Sequence, residues 1–141
     1  MAANRNILAL DVGERRVGVA LANSMARLSN PHSTLIQSDQ IALEIKNLIQ
    51  AEQADILVIG LPKNLSGEDT DQTRYVREFS DQLEGIVGIP VYFEDEAFSS
   101  VRAKQALDED GKPYKKEDVD ALAACYILDD FIANNPEVIN G

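Results

Sequence analysis

The chain carries one cysteine and one histidine in 141 residues. A single cysteine excludes an internal disulfide, and no His/Cys ligand set suits zinc. No apolar run approaches the roughly 18 residues that a membrane helix needs. The first residues, Met1-Ala2-Ala3-Asn4-Arg5-Asn6, lack the charged-then-apolar pattern of a signal peptide. Positive charge is scarce too: 13 Lys and Arg face 24 Asp and Glu, a net charge of −11. That balance argues against a protein that binds nucleic acid by bulk electrostatic attraction. Low-complexity segments, internal repeats and linker signals are all missing. With 45% apolar residues, the expectation is a soluble cytoplasmic protein, not attached to a membrane, with a single domain over 1–141.

What is present is most informative at the start. Ile7-Leu8-Ala9-Leu10-Asp11-Val12-Gly13 is an apolar run ending on a carboxylate and a glycine, and Arg16-Val17-Gly18-Val19-Ala20-Leu21-Ala22 follows at once. This reads as a hairpin whose first strand delivers one acid. An ionised Asp in a strand that is otherwise core is costly unless it is paired or bound to metal. Charge is also uneven. Residues 1–36 are net +2, leaving −13 for the remainder.

Further on, strands are predicted over 5–12, 15–22 and 28–36, the last with Pro31 marking an edge. A helix capped by Asp39 runs to about residue 53, with Ile41, Ile45, Leu48 and Ile49 at helical spacing. Ile56–Gly60 is a buried strand, 61–67 a loop and 71–83 a helix. Ile89–Phe93 is a strand ending in Glu94-Asp95-Glu96, 99–108 a helix and 117–133 the last helix. The order β-β-β-α-β-α-β-α-α implies an α/β fold. Its five-stranded mixed sheet comprises a three-strand meander plus two parallel strands, with helices on both faces. Cys125 reads as a small buried hydrophobe in the last helix, and His32 as a structural or solvent-facing residue.

Three acidic positions then converge: Asp11 on the first strand, Asp95 and Glu96 at the end of the last strand, and Asp118 and Asp120 at the start of the final helix. Functional groups in open α/β sheets gather at the carboxyl ends of the parallel strands. Carboxylates at close range repel, and a divalent ion relieves the conflict; Mg²⁺ or Mn²⁺ suits hard oxygen ligands. Two such ions about 4 Å apart would clamp both the attacking water and the leaving oxygen of a phosphodiester. Each acid also has a plainer use, as a turn residue or a helix cap. In the loop at the same edge, Lys63 and Asn64 are candidates for substrate contact, and the hairpin adds Arg16.

Four motifs together resemble the YqgF family of pre-16S rRNA nucleases, also described as Holliday junction resolvases. They are Leu10-Asp11-Val12-Gly13-x-x-Arg16-Val17-Gly18-Val19-Ala20, Val58-Ile59-Gly60-Leu61-Pro62-Lys63-Asn64-Leu65-Ser66-Gly67, Asp95-Glu96-Ala97-Phe98-Ser99-Ser100 and Val119-Asp120-x-x-Ala123-Ala124-x-x-Ile127-Leu128. The match covers nearly the whole chain. The resemblance implies a ribonuclease H-like fold and a metal-dependent nuclease active in ribosome biogenesis. It carries the acidic site to Asp11, Glu96 and Asp120, with Asp11 bridging the ions, and leaves Asp95 in support and Asp118 as a lesser candidate. It implies pre-rRNA or branched DNA as partner and a monomer or homodimer as the working state; a four-way junction would favour a two-fold dimer. The chain departs from the family at Ala97, where relatives carry arginine, and at Phe98, where they carry leucine. Arg102 or Lys104 on the following helix is the expected substitute. Two other readings compete. One is a non-catalytic ribosome-assembly or nucleic-acid-binding factor on the same scaffold. The other is an ATP-handling fold, which would need a second such domain.

Overall fold

The computed structural model describes residues 4–96 and 99–140. Five strands and five helices follow in the order β1 (Asn6–Val12), β2 (Arg16–Asn23), β3 (Asn30–Ile36), α1 (Ile41–Glu52), β4 (Ile56–Pro62), α2 (Asp71–Val87), β5 (Val91–Glu96), α3 (Ser99–Asp110), α4 (Lys116–Asn134) and α5 (Pro136–Asn140). The sheet order is β3-β2-β1-β4-β5. β1 and β2 are antiparallel, as are β2 and β3, whereas β4 runs parallel to both β1 and β5. This is the mixed sheet expected from the element order, with Pro31 on the edge strand β3 and a register shift between Val19 and Ala20.

Strand alternation divides the sheet into two faces. Leu8, Leu10, Val12, Val17, Val19, Leu57, Ile59 and Leu61 pack under α1 and α2. Ile7, Ala9, Ala20, Ala22, Ile56 and Val58 pack under α4 and α5, together with Ala124, Ile127, Leu128, Phe131 and Ile139. β1 and β4 are buried on both faces, which explains why they read as continuous apolar runs.

Several boundaries differ from the sequence reading, each for a local reason. Asp39 does not cap α1: Gln40 occupies the cap position and no side chain bonds there. Leu61 and Pro62 belong to β4, because Leu61 pairs with Asp95 and Pro62 with Glu96. α2 starts at Thr70, whose hydroxyl accepts from the Thr73 amide while the Thr73 hydroxyl accepts from the Thr70 amide. It runs on to Val87 and ends at Gly88 in the left-handed conformation (φ 72°). α4 begins at Lys116 and is closed by Asp118, whose Oδ2 accepts from the Lys115 amide at 2.8 Å. Asp120 therefore stands just past the first turn rather than within it. Ala97 and Phe98, the two departures from the family pattern, lie outside the described residues. Among those residues, no helix is long and apolar enough to cross a membrane.

Candidate active site

The parallel strands β1, β4 and β5 end at one edge of the sheet, and β2 starts there. Asp11, Glu96 and Arg16 are brought to that edge by topology alone. Alternation then sorts the acids. Asp11 lies in phase with Ile7 and Ala9, and Glu96 in phase with Tyr92, so both belong to the α4 face. Asp95, one residue out of phase, lies on the other face, where the Lys63 Nζ sits 3.6 Å from its Oδ1.

Two glycines seat the helix that carries the third acid. Gly18 pairs with Asp11 across the hairpin. A Cβ there would run into the backbone carbonyl of Asp120. The parallel register places Leu10 opposite Ile59, so the next step puts Asp11 beside Gly60. A Cβ at Gly60 would run into the Ile127 side chain. α4 thus crosses the sheet in a trough whose floor is Gly18, Asp11 and Gly60. A Gly within an apolar strand marks close backbone approach, and this is the signal in the sequence that could have revealed the seat.

The turn after Asp11 is pinned from several sides. The Gly13 amide donates to the Arg16 carbonyl at 2.9 Å. The side-chain amides of Gln37 and Gln72 donate to the carbonyls of Gly13 and Val12 at 2.9 and 3.3 Å. Arg16 Nε donates to Asp120 Oδ2 at 2.6 Å, linking β2 to α4 across 104 positions of sequence. That carboxylate holds the Arg16 guanidinium charged more firmly than usual. Glu96 Oε1 accepts from the Ser99 hydroxyl at 2.5 Å; Ser99 is buried and opens α3.

Asp11 differs from both. Among the described residues, no hydrogen-bond donor or cation reaches its carboxyl. Burial is the main cause that pushes its pKa from 3.8 up to about 8, and the negative charges of Glu96 and then Asp120 add to it. Burial and the two neighbouring carboxylates thus favour the protonated form of Asp11 well above the usual carboxylate range. The three expected acids are near enough to act on one another electrostatically. In this arrangement, however, no three His, Cys, Asp or Glu side chains among the described residues close around a point that would hold an ion. Asp120 is turned to Arg16 and Glu96 to Ser99. The donor chemistry is all carboxylate oxygen, which fits Mg²⁺ or Mn²⁺ and does not fit zinc.

The other expected contacts are more dispersed. Lys63 faces Asp95. The Asn64 Oδ1 accepts from the amides of Ser66 and Glu68 at 3.0 and 2.8 Å, so it shapes its own loop. Arg102 on α3 donates to Asp130 at 3.1 Å and lies over the Tyr126 ring, 4.5 Å from its centroid. Asp130 is ten residues beyond Asp120, roughly 15 Å along the helix, so Arg102 braces α3 against the middle of α4 rather than standing at the acids. His32 joins Ser33 at 2.8 Å and Glu52 at 3.0 Å, which ties β3 to the end of α1. Cys125 is buried, and that burial pushes its thiol up to about 11.

Comparison with known proteins agrees with this architecture. Residues 5–134 match the family described as RuvX, Holliday junction resolvase. Proteins named "Putative pre-16S rRNA nuclease" resemble the chain along most of its length. The one from Chloroflexus aurantiacus is 39% identical, covering 89% of this chain and 85% of that protein. The one from Chromohalobacter salexigens is 37% identical, covering 95% and 93%. Among solved structures, Thermus thermophilus RuvC superposes with a TM-score of 0.55 at 12% identity, covering 93% of this chain and 96% of that one; this likeness concerns the fold. On the family match and these relatives, the chain belongs to the RuvX family of Holliday junction resolvases, the same family its sequence motifs resemble under the name YqgF.

Proposed function

We propose that the protein is a divalent-metal-dependent nuclease that hydrolyses phosphodiester bonds in pre-16S rRNA, with Asp11, Glu96 and Asp120 as its acidic centre. One observation carries the reading. The fold half-buries a carboxyl at Asp11 and aims the fields of two more acids at it, without supplying a donor among the described residues. Folding alone does not compensate that arrangement, whereas a cation does. The curated relatives' names supply the RNA substrate.

In this reading Asp11, Glu96 and Asp120 would hold the cation. Mg²⁺ or Mn²⁺, when bound, supplies Lewis acidity at the phosphoryl oxygens and lowers the pKa of a bound water. Asp11 must give up its proton before it can bind a cation. Ser99 fixes the rotamer of Glu96 by donating to one oxygen, which leaves the other to ligate. Arg16 has a planar fork that suits a phosphate as well as a carboxylate. It pairs with Asp120 and would be at hand beside that acid to receive a phosphate. Lys63, on the opposite face of β5, serves the approach of the strand rather than the reacting atoms.

The test is an Asp11→Asn variant assayed on the 5′ region of pre-16S rRNA and on a four-way DNA junction with Mg²⁺ or Mn²⁺. Loss of RNA cleavage with an unchanged circular dichroism spectrum is the expected outcome. Undiminished cleavage by the variant would refute the site. Cleavage of the junction but not the RNA would reassign the substrate.

A further inference from the structure

We propose that the cleft between α3 and the start of α4 is a subsite for one unpaired nucleotide of the RNA strand, adjoining the acidic centre. This rests on the nuclease reading above and adds to it the form in which the strand is held.

The cleft encloses about 380 Å³, the size of a small-molecule site. Four separate segments build it: Arg16 from β2, Lys104 from α3, Tyr114 and Lys115 from the connection, and Lys116, Val119 and Asp120 from α4. Charge is the first argument. The chain has 13 cationic side chains against a net charge of −11, yet four of them line this one cleft. The one carboxylate in the lining, Asp120, is already held by Arg16. Among the described residues no ion pair engages Lys104, Lys115 or Lys116, whereas Lys63, Arg74, Arg77 and Arg102 each face a carboxylate. Of the two acids next in sequence, Asp118 spends an oxygen on the Lys115 amide, and Glu117 acts on Arg16. Three exposed lysines that line one space and form no ion pair among the described residues favour an anion at its rim.

Shape is the second argument. The Tyr114 ring, Val119 and the aliphatic stems of the lysines give the cleft apolar walls. The Tyr114 hydroxyl is bonded to Asp108, which fixes the ring in place. A free phosphate does not need an aromatic wall, and a duplex offers no open base face to stack on it. An unpaired nucleotide needs both a base platform and cations for its phosphate. Continuity is the third argument. Asp120 lines the cleft and also acts electrostatically on Asp11, so a strand seated here meets the acidic centre at a neighbouring phosphate.

The experiment is fluorescence anisotropy with a short labelled single-stranded oligoribonucleotide, in EDTA to prevent turnover, over a range of salt. The triple variant Lys104→Gln, Lys115→Gln, Lys116→Gln is expected to bind at least about tenfold more weakly at low salt. Its slope of log affinity against log salt should flatten by roughly 0.7 per lost phosphate contact. Tyr114→Leu should weaken binding by about 5- to 100-fold, the range for losing one stacked base, while leaving the slope unchanged. Lys46→Gln, on α1 beneath the opposite face, should change neither. Thermal melts establish that each variant is folded. An unaltered slope in the triple variant, or unaltered affinity in Tyr114→Leu, overturns the subsite. Equal affinity for a blunt RNA duplex also overturns it. The nuclease reading fails separately, through Asp11→Asn cleavage assays, and neither result decides the other.

Discussion

The two faces of one sheet differ in what they leave unresolved. Beneath α1 and α2 the buried positions of β1, β2 and β4 are apolar, from Leu8 to Leu61. Beneath α4 the same strands present Ala9, Asp11, Gly18, Ala20 and Gly60 beside Ile7, Ile56 and Val58. Small residues let α4 settle close to the sheet, and the Asp11 carboxyl lies half-buried among them. The first face holds the fold together. The second gives up packing volume and accepts a half-buried acid, which is the pattern expected where function rather than stability sets the sequence.

Substitutions at paired positions on β1 should separate the two faces by sign. Leu10→Ala opens a cavity in the apolar layer and should cost about 2–5 kcal/mol in urea denaturation. It should leave the affinity for Mn²⁺ unchanged. Asp11→Asn, one residue away, should instead stabilise the metal-free protein at neutral pH. The sign follows from the raised pKa. Between about pH 4 and 8 the unfolded chain has lost the Asp11 proton and the folded chain keeps it. Folding therefore takes up a proton, and the metal-free fold loses stability as pH rises through that window, at up to about 1.4 kcal/mol per unit. Asp11→Asn should abolish this slope, as read from denaturation midpoints at a series of pH values. A parallel slope in the variant would mean that another group is responsible.

The glycine seats sharpen the comparison further. Gly18→Ala drives a methyl into backbone, which cannot yield without moving α4, and should cost roughly 1–3 kcal/mol. Gly60→Ala meets the flexible end of the Ile127 side chain and should cost less. Reversal of that order in urea denaturation would show that α4 rests on the sheet differently. The smallest effect belongs to Arg16→Gln. Freed of its partner, Asp120 becomes a better cation ligand, so Mn²⁺ affinity by calorimetry should rise a few-fold. Unchanged or weaker binding would place Asp120 outside the metal site. At pH 7, Mn²⁺ binding to the unmodified chain should also release a proton from Asp11, measurable in buffers of different ionisation enthalpy.

Much of the scaffold was legible because it is local. The run Ile7–Leu10 read as the first strand of a hairpin and Ile56–Ile59 as a strand buried on both faces, and the helical spacing of Ile41, Ile45 and Ile49 fixed α1 even though its cap was misassigned. Asp39 failed as a cap for want of side-chain geometry that spacing does not encode. Arg102 was placed on the correct helix, but helix identity does not say which stretch of α4 it meets. The proximity of Asp11, Glu96 and Asp120 was foreseeable from topology, since parallel strands bring their ends to one edge.

The chain order of strands and helices, a mixed sheet covered on both faces and the family itself follow from the amino-acid sequence, because periodicity and motif spacing are short-range properties of a chain. Tertiary structure alone decided that Arg16 pairs with Asp120, that Gly18 and Gly60 form the bed of α4, and that the surroundings of Asp11 raise its pKa. Those features depend on burial and on distances between groups as much as 104 positions apart, which are quantities that exist only once the chain has closed on itself.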